Sequence, residues 1–391
     1  MARIGSAAAA VLALAVFSCT GGDGETLPIR LDHNRMLVEV EFRRSDGSWR
    51  QATAWVDTGN PQLVFGGPLA KDLGVEWDEQ APRTPGGKVD ASPPSGMRFG
   101  RVSLPLDGVS CAVFPEWTRP FPAVPAEANL PSTLLRRFDV CFDYPGMVMT
   151  LGAPGTLVFR GDRVPCIADP TSGIVQTQVT IGGEASSFAL DNGATYTLVD
   201  ERLVARWRRE HPDWPSRAGL VGCANLWGMQ REPEMPLLRP PEMSVGPVTV
   251  AGAGVAGFPG GLFEWYSQKT SAPVAGLLGP NALMAFRVGI DFRGGALYLE
   301  RRREDNRHDM DLVGLTLRPS REGTFEILEA APDSGARAGD VLLSVGGLEV
   351  QGRTQGEVVD ALRGRPGEKR LLTLRRAEKI LRVEARVERR I

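Results

Sequence analysis

The sequence predicts a mainly β protein of two similar lobes followed by a smaller α+β domain, and three observations carry that prediction. The region before Asp311 holds an internal repeat whose parts recur in the same order. Gly 46 and Pro 30 in 391 residues fit many short strands joined by turns rather than long helices. From Asp311 onward the pattern changes to that of a compact unit with its own strands and one helix. A chain of this length accommodates two or three domains, and 42% hydrophobic residues suffice for sizeable cores.

Residues 1–19 read as an export signal. Arg3 supplies a short positive region and Ala7 to Phe17 an apolar run, shorter than the ~20 apolar residues that span a bilayer. The run ends at Cys19, and residues 20–27 are expected to form a flexible tether. The arrangement resembles a bacterial lipoprotein signal. That resemblance implies lipid on Cys19, a place in the cell envelope, and membrane attachment through the lipid alone; a plain secretory signal is the alternative. Four further cysteines, Cys111, Cys141, Cys166 and Cys223, suggest two disulfides in one of three pairings, with buried thiols as the alternative. No Cys-x-x-Cys spacing is present, so a structural zinc site is not expected; the reading includes no metal and no cofactor. The net charge is -2 without a basic stripe, which argues against nucleic acid as a partner.

The repeat defines the two lobes, over 28–155 and 156–302. Each begins with a hairpin signal. "MLVEVEF" and "WRQATAWV" flank Ser45-Asp46-Gly47-Ser48; "IVQTQVTI" and "SSFAL" flank Gly182-Gly183-Glu184-Ala185. The second strand of each hairpin runs into Asp-x-Gly: Asp57-Thr58-Gly59 and Asp191-Asn192-Gly193. An apolar segment and a short helix follow, with Leu69 and Leu203 at matching offsets. Each lobe closes alike: Phe138, Val140, Asp143 and Tyr144 answer Phe286, Val288, Asp291 and Phe292. Asp and Gly are common in turns, so a single Asp-x-Gly says little; the ordered repeat makes the pair informative.

These motifs resemble the aspartic proteases, pepsin type and retropepsin type, over about residues 28–300. The resemblance implies a two-lobed β-barrel pseudo-dimer in which Asp57 and Asp191 meet at a pseudo-twofold axis, share one proton and activate a water. Two carboxylates at short range cannot both ionise easily, so one serves as acid and the other as base. Gly59 and Gly193 let the chain turn beside the carboxylates. Thr58 is expected to brace the opposite loop, and Asn192, where the family has Thr or Ser, to offer a similar brace. An apolar-apolar-Gly strand behind each loop is represented by Leu277-Leu278-Gly279, with Leu278 and Gly279 supporting the second loop. Asn129-Leu130-Pro131 stands at the matching place in the first lobe. No Tyr lies between Asp57 and Tyr144, which brings the likeness nearer the retropepsin-like type. Residues 83–96 and 219–230 are candidate flaps, or ordinary surface loops. The hydroxyl residue that follows each motif in pepsin-like members is here Asn60 or Ala194. The carboxylates are therefore expected to ionise less readily, with an activity optimum in mildly acidic to neutral solution.

After a charged linker over 303–310, residues 311–391 resemble a bacterial PDZ domain. The signature is "VGLTL", the Pro332 to Asp340 turn, the Val341 to Val345 strand and the Gly346-Gly347 hairpin, in that order. The resemblance implies that C-terminal or extended peptides add as a strand beside Gly314-Leu315-Thr316-Leu317, with Val358 and Leu362 on the facing helix. With only His33, His211 and His308 and no His-Glu-x-x-His or Gly-x-Ser-x-Gly motif, zinc-dependent and serine-triad hydrolysis lack support. The reading is an envelope aspartic endopeptidase acting on polypeptides, with PDZ-mediated recognition. Its alternative is a non-catalytic peptide-binding protein on the same scaffold.

Overall fold

The computed structural model describes residues 24–84, 87–116, 125–220, 234–320 and 323–391. The expected export signal, Cys19 and Cys223 lie outside them, as does most of the second candidate flap.

Both hairpins form where the alternation places them. In the first half, Arg35–Arg43 pairs antiparallel with Trp49–Asp57, from Leu37 against Trp55 to Arg43 against Trp49. In the second, Val175–Ile181 pairs with Glu184–Leu190 around Gly182 and Gly183, both at positive φ. After each Asp-x-Gly loop a short buried strand, Leu63–Gly66 or Thr197–Asp200, leads into a helix, Gly67–Leu73 or Glu201–Glu210. Glu201–Glu210 starts well because the Asp200 side chain accepts the free Arg202 N–H.

The closing segments join the halves. Asp139–Asp143 turns back as Val148–Gly152, and Phe286–Asp291 as Ala296–Arg301. In both turns the Asp side chain accepts an N–H three residues on, from Gly146 or Gly294, at 2.7 Å. The two inner strands then pair with each other, Val140 against Ile290 and Phe142 against Val288. Gly24–Asp32 and Asp162–Ala168 flank them through Val148–Gly152 and Ala296–Arg301. The result is a six-stranded antiparallel sheet, three strands from each half, with a pseudo-twofold axis through its centre. Val140, Phe142, Phe286 and Val288 are all fully buried there, so the repeated apolar residues are the ones that weld one half to the other.

A parallel strand passes beside each Asp-x-Gly strand. Ala128–Pro131 runs beside Ala54 to Asp57, and Gly276–Leu278 beside Phe188 to Leu190. Pro131 fits its place because φ is -83 there. Gly279 is confined for a different reason: a Cβ on it would lie 2.4 Å from the backbone carbon and oxygen of Tyr196.

The C-terminal domain has its own core and sheet. Its strand order is Leu312–Val313, Lys379–Glu388, Lys369–Arg376, Val341–Val345, Phe325–Ala330 and, at the edge, Leu315–Pro319. Its helix, Gln355–Leu362, starts with a capping box between Thr354 and Glu357.

Two expectations are corrected, and the linker proves to be anchored. Within the tether expected over 20–27, the described residues are not free: Gly24 to Pro28 pair with Val148 to Gly152, and the Thr26 and Thr150 hydroxyls bond at 2.8 Å. The charged linker over 303–310 is anchored at its end. Asp309 pairs with buried Arg239 at 2.7 Å and accepts from Asn281 at 2.7 Å, and Met310 is buried. Two disulfides do not form, since Cys111, Cys141 and Cys166 all remain thiols. Cys111 and Cys166 belong to the hydrophobic core, where burial pushes each thiol up to about 12.

The close approach at Gly279 yields a test. Gly279→Ala is expected to destabilise the protein by about 3 kcal/mol, read from urea denaturation. A loss below about 1 kcal/mol would show that the loop from Asp191 to Tyr196 yields to the added methyl.

Candidate active site

The two Asp-x-Gly loops face each other across the pseudo-twofold axis. The Thr58 hydroxyl donates to the Leu190 carbonyl at 2.9 Å and accepts from the Asn192 N–H at 2.9 Å. One hydroxyl thereby satisfies two buried backbone groups of the opposite loop, each of which would cost about 1–3 kcal/mol if left unpaired. The reciprocal brace expected from Asn192 is not made. Asn192 is fully buried, yet neither polar atom of its amide has a partner among the described residues. A hydroxyl bonds close to its own Cβ, whereas the amide carries its polar atoms one bond further out. The second loop is held from other directions. Asp191 N–H donates to Leu278 O at 3.1 Å, Asn34 donates to Thr195 O at 2.8 Å, and Arg35 reaches the Thr195 hydroxyl at 2.8 Å.

The glycines serve the opposite loop. A Cβ on Gly193 would lie 2.5 Å from Asp57 Oδ1 and 3.0 Å from Asp191 Oδ1. One on Gly59 would lie 2.6 Å from Asp191 Cγ. Neither glycine is at positive φ, so the expectation that each eases a turn beside its own carboxylate is corrected. Each makes room for the other half's carboxylate, and both acids line one small space.

That space is closed. Asp57 and Asp191 are each 5% exposed. Tyr266, on the helix Gly261–Ser267, donates its hydroxyl to Asp191 Oδ2 at 2.7 Å. The Tyr266 hydroxyl oxygen lies 2.5 Å from where a Gly59 Cβ would be, so it sits between the loops. Tyr266 was not legible in the sequence; nothing local to "GLFEWYSQ" marks it. It also corrects the expectation that Asp191 lacks a side-chain donor. Ala194 offers only its N–H, at 3.1 Å, but the missing hydroxyl arrives from a distant helix.

Burial pushes Asp57 well above the ordinary carboxylate range, and the charge of Asp191 adds to the rise; the Gly59 N–H and the Asn60 amide oppose it. Burial also raises Asp191, against the Tyr266 hydroxyl and the N–H groups of Gly193 and Ala194. Asp191 has the better donors, with Gly193 N–H at 2.8 Å against 3.2 Å for Gly59 N–H on Asp57. Both acids are thus raised, and Asp57, with the weaker donors and the charge of Asp191 beside it, is raised the further. Burial raises the Tyr266 phenol well above its usual value, reinforced by both aspartate charges, so it stays a donor.

The first candidate flap, 83–96, is described except for residues 85 and 86. Thr84 N–H bonds Lys88 O at 3.0 Å, and Val89–Ala91 pairs with Cys111–Phe114. Lys88 reaches Gln62 beside the first loop and is close enough to Lys269 of the second half to feel its charge. The second candidate leaves the described residues after Leu220, whose N–H bonds Glu329 of the C-terminal domain at 3.3 Å.

The groove of that domain forms between the edge strand Leu315–Pro319 and the helix Gln355–Leu362. Leu315, Thr316, Leu317 and Leu362 line it as expected. Val358 does not: it points into the domain core, fully buried, and the next residue, Val359, faces the groove. One residue is about 100° of helix, which puts the two on different faces. Gly314 borders a neighbouring cavity with Arg217, Glu329 and Arg390.

A family model for the PDZ domain matches residues 330–376, so the C-terminal unit is a PDZ domain. No curated protein matches the chain. Among solved structures, the chain is similar to a photosystem II D1 C-terminal processing protease, with 26% identity and a TM-score of 0.19; the match covers 20% of this chain and 23% of that one. It thus spans less than a quarter of that enzyme. It is also similar to the aspartic proteinase from Irpex lacteus, with 14% identity and a TM-score of 0.40, covering 71% of this chain and 97% of that one.

The raised carboxyl gives a stability prediction. A carboxyl with a higher pKa folded than unfolded binds more protons in the folded state. Its contribution is fully present below the ordinary 3.8 and is lost as pH rises through the raised value. Asp57→Asn should therefore be more stable than the parent at neutral pH, with the advantage vanishing in acid. Urea midpoints of both proteins at neutral pH and near the ordinary value check this. A difference that does not change with pH would mean that Asp57 ionises normally.

Proposed function

We infer that the chain is an aspartic-type endopeptidase, and the observation that carries this is the mutual fit of the loops, each glycine lying against the other half's carboxylate. In the working cycle Asp191, ionised, takes a proton from a water as the water oxygen attacks the peptide carbonyl carbon. Asp57 gives its proton to the carbonyl oxygen, forming a tetrahedral gem-diol. Asp191 then passes its proton to the leaving nitrogen, the C–N bond breaks, and a gem-diol hydroxyl returns its proton to Asp57, so that a carboxylic acid and an amine leave and the pair regains its starting state. Low dielectric around the buried pair strengthens both transfers. With no tyrosine in the first-half flap, the enzyme is read as nearer the retropepsin-like type. The N-terminal signal supports export to the cell envelope, with Cys19 as lipid acceptor. The PDZ domain supports recognition of peptides by their ends. A non-catalytic peptide-binding role is the second reading; Tyr266 seated on Asp191 and the unbraced Asn192 favour it.

Asp57→Asn and Asp191→Asn should each lower kcat/KM on a cleaved polypeptide by about 1,000-fold or more while the fold persists. Full cleavage by either variant contradicts the dyad and favours the second reading or another active site.

Activity requires one proton on the pair. It should fall in acid as Asp191 gains a proton and fall at high pH as the shared proton leaves. Since burial raises both groups, the kcat/KM profile should peak in mildly acidic to neutral solution. A maximum confined to strong acid would show that the Tyr266 and Asn60 donors outweigh burial.

A further inference from the structure

The PDZ groove is closed by the rest of the chain. Its floor is Leu315, Leu317, Val359 and Leu362; its roof is His33 from the first half, with Tyr196, Leu237 and Met310. The space left is about 20 Å³. One water needs roughly 10–15 Å³ on the same measure, so no peptide residue fits. The roof is fixed at both ends of the helix. Gly356 N–H donates to Asp32 Oδ1 at 2.6 Å, and a Cβ there would lie 2.3 Å from His33 N. At the other end Arg363 donates to Asn34 Oδ1 at 3.2 Å and approaches the Tyr196 hydroxyl at 3.5 Å.

The roof is continuous with the dyad. Tyr196, Leu237 and Met310 share one buried apolar cluster with Phe263 and Tyr266. Tyr196 also belongs to the loop that carries Asp191, and its carbonyl presses on Gly279. The two closures, over the PDZ groove and over the dyad, thus draw on one apolar cluster.

We propose that these closures are one latch: an extended peptide with a free C-terminal carboxylate and an apolar last residue, bound along Leu315–Pro319, displaces His33, Tyr196 and Met310 and so withdraws Tyr266 from Asp191. The occupant follows from the groove. Among the described residues Leu315–Pro319 is an edge strand paired on one side, and its apolar floor suits an aliphatic terminal residue. Such a peptide replaces the buried roof with its own burial and a strand ladder, so the roof weakens its binding. The enzyme then acts when its PDZ domain is engaged. This regulation rests on the endopeptidase reading; the latch itself does not.

The test uses the full chain and a fluorescein-labelled hexapeptide ending in Ala-Val with a free carboxylate. His33→Gly removes a roof side chain at a position with φ of 50, which glycine adopts readily, so the fold is preserved. It should bind the peptide at least about tenfold tighter than the parent. Equal affinity, or no binding by either protein, overturns the closed groove. In the parent, saturating peptide should speed amide hydrogen exchange in the Gly261–Ser267 helix; unchanged exchange with peptide bound overturns the coupling. These readouts need no catalysis, so they separate failure of the latch from failure of the endopeptidase reading. On an amide-capped substrate, the peptide should raise parental kcat/KM at least about tenfold, and Tyr266→Phe should show the raised value without peptide. A Tyr266→Phe enzyme slower than the parent, with a shifted pH profile, would make the hydroxyl a positioning donor to Asp191 and overturn its role as a latch.

Discussion

Everything distinctive in this molecule depends on the close approach of two loops across a pseudo-twofold axis. Two carboxyls can occupy one buried space only if the backbone that carries them comes nearer than side chains normally allow. Gly59 and Gly193 permit that approach, and the Thr58 hydroxyl fixes it with two 2.9 Å bonds to the opposite strand and loop. The six-stranded sheet beneath supplies the rigidity. Its centre is apolar and fully buried at Val140, Phe142, Phe286 and Val288, so the halves cannot drift apart without exposing core. The raised pKa values follow from this architecture: burial without full hydrogen-bond compensation raises both acids, and unequal donors leave Asp57 raised the further.

The pseudo-symmetry is incomplete where it touches the site. Thr58 braces, but Asn192 does not. Gly279 is confined by Tyr196, while its counterpart Pro131 ends a strand in ordinary extended geometry. Asp191 receives a tyrosine hydroxyl, and no counterpart of Tyr266 on Asp57 was found among the described residues. The second half also carries the contacts to the PDZ domain through Tyr196, Leu237, Arg217 and Leu220. A duplicated barrel has thus been specialised: the second loop is both held by the opposite half, through Thr58, and tied to the domain that follows, through Tyr196.

Most of the fold and the centre of the site were legible because they are encoded locally or by repetition. Alternation with Asp-Gly or Gly-Gly turns marked the hairpins, and the ordered repeat of Phe138 to Tyr144 in Phe286 to Phe292 marked the strands that join the halves. What was missed is long-range. Tyr266 on Asp191, Asp32 on Gly356 and His33 against Tyr196 join residues far apart in sequence, and no period or motif announces them. The cysteines misled because an inward strand position uses a thiol as a small apolar group, and composition alone does not separate that from a disulfide framework. Val358 was placed on the groove for want of the helix phase, which only packing sets. The linker looked like a solvated charge run because its partners, Arg239 and Asn281, lie in the preceding lobe.

The central claim is that Asp57 and Asp191 form one coupled, buried pair that holds a single proton. Carboxyl ¹³C shifts of aspartate-labelled protein, followed through a pH titration and assigned with Asp57→Asn and Asp191→Asn, measure this directly. The account predicts that one of the two titrates well above the ordinary 3.8 and that removing Asp191 lowers the pKa of Asp57, because a like charge has gone. Two independent titrations near the ordinary value, each indifferent to the other's removal, would contradict it.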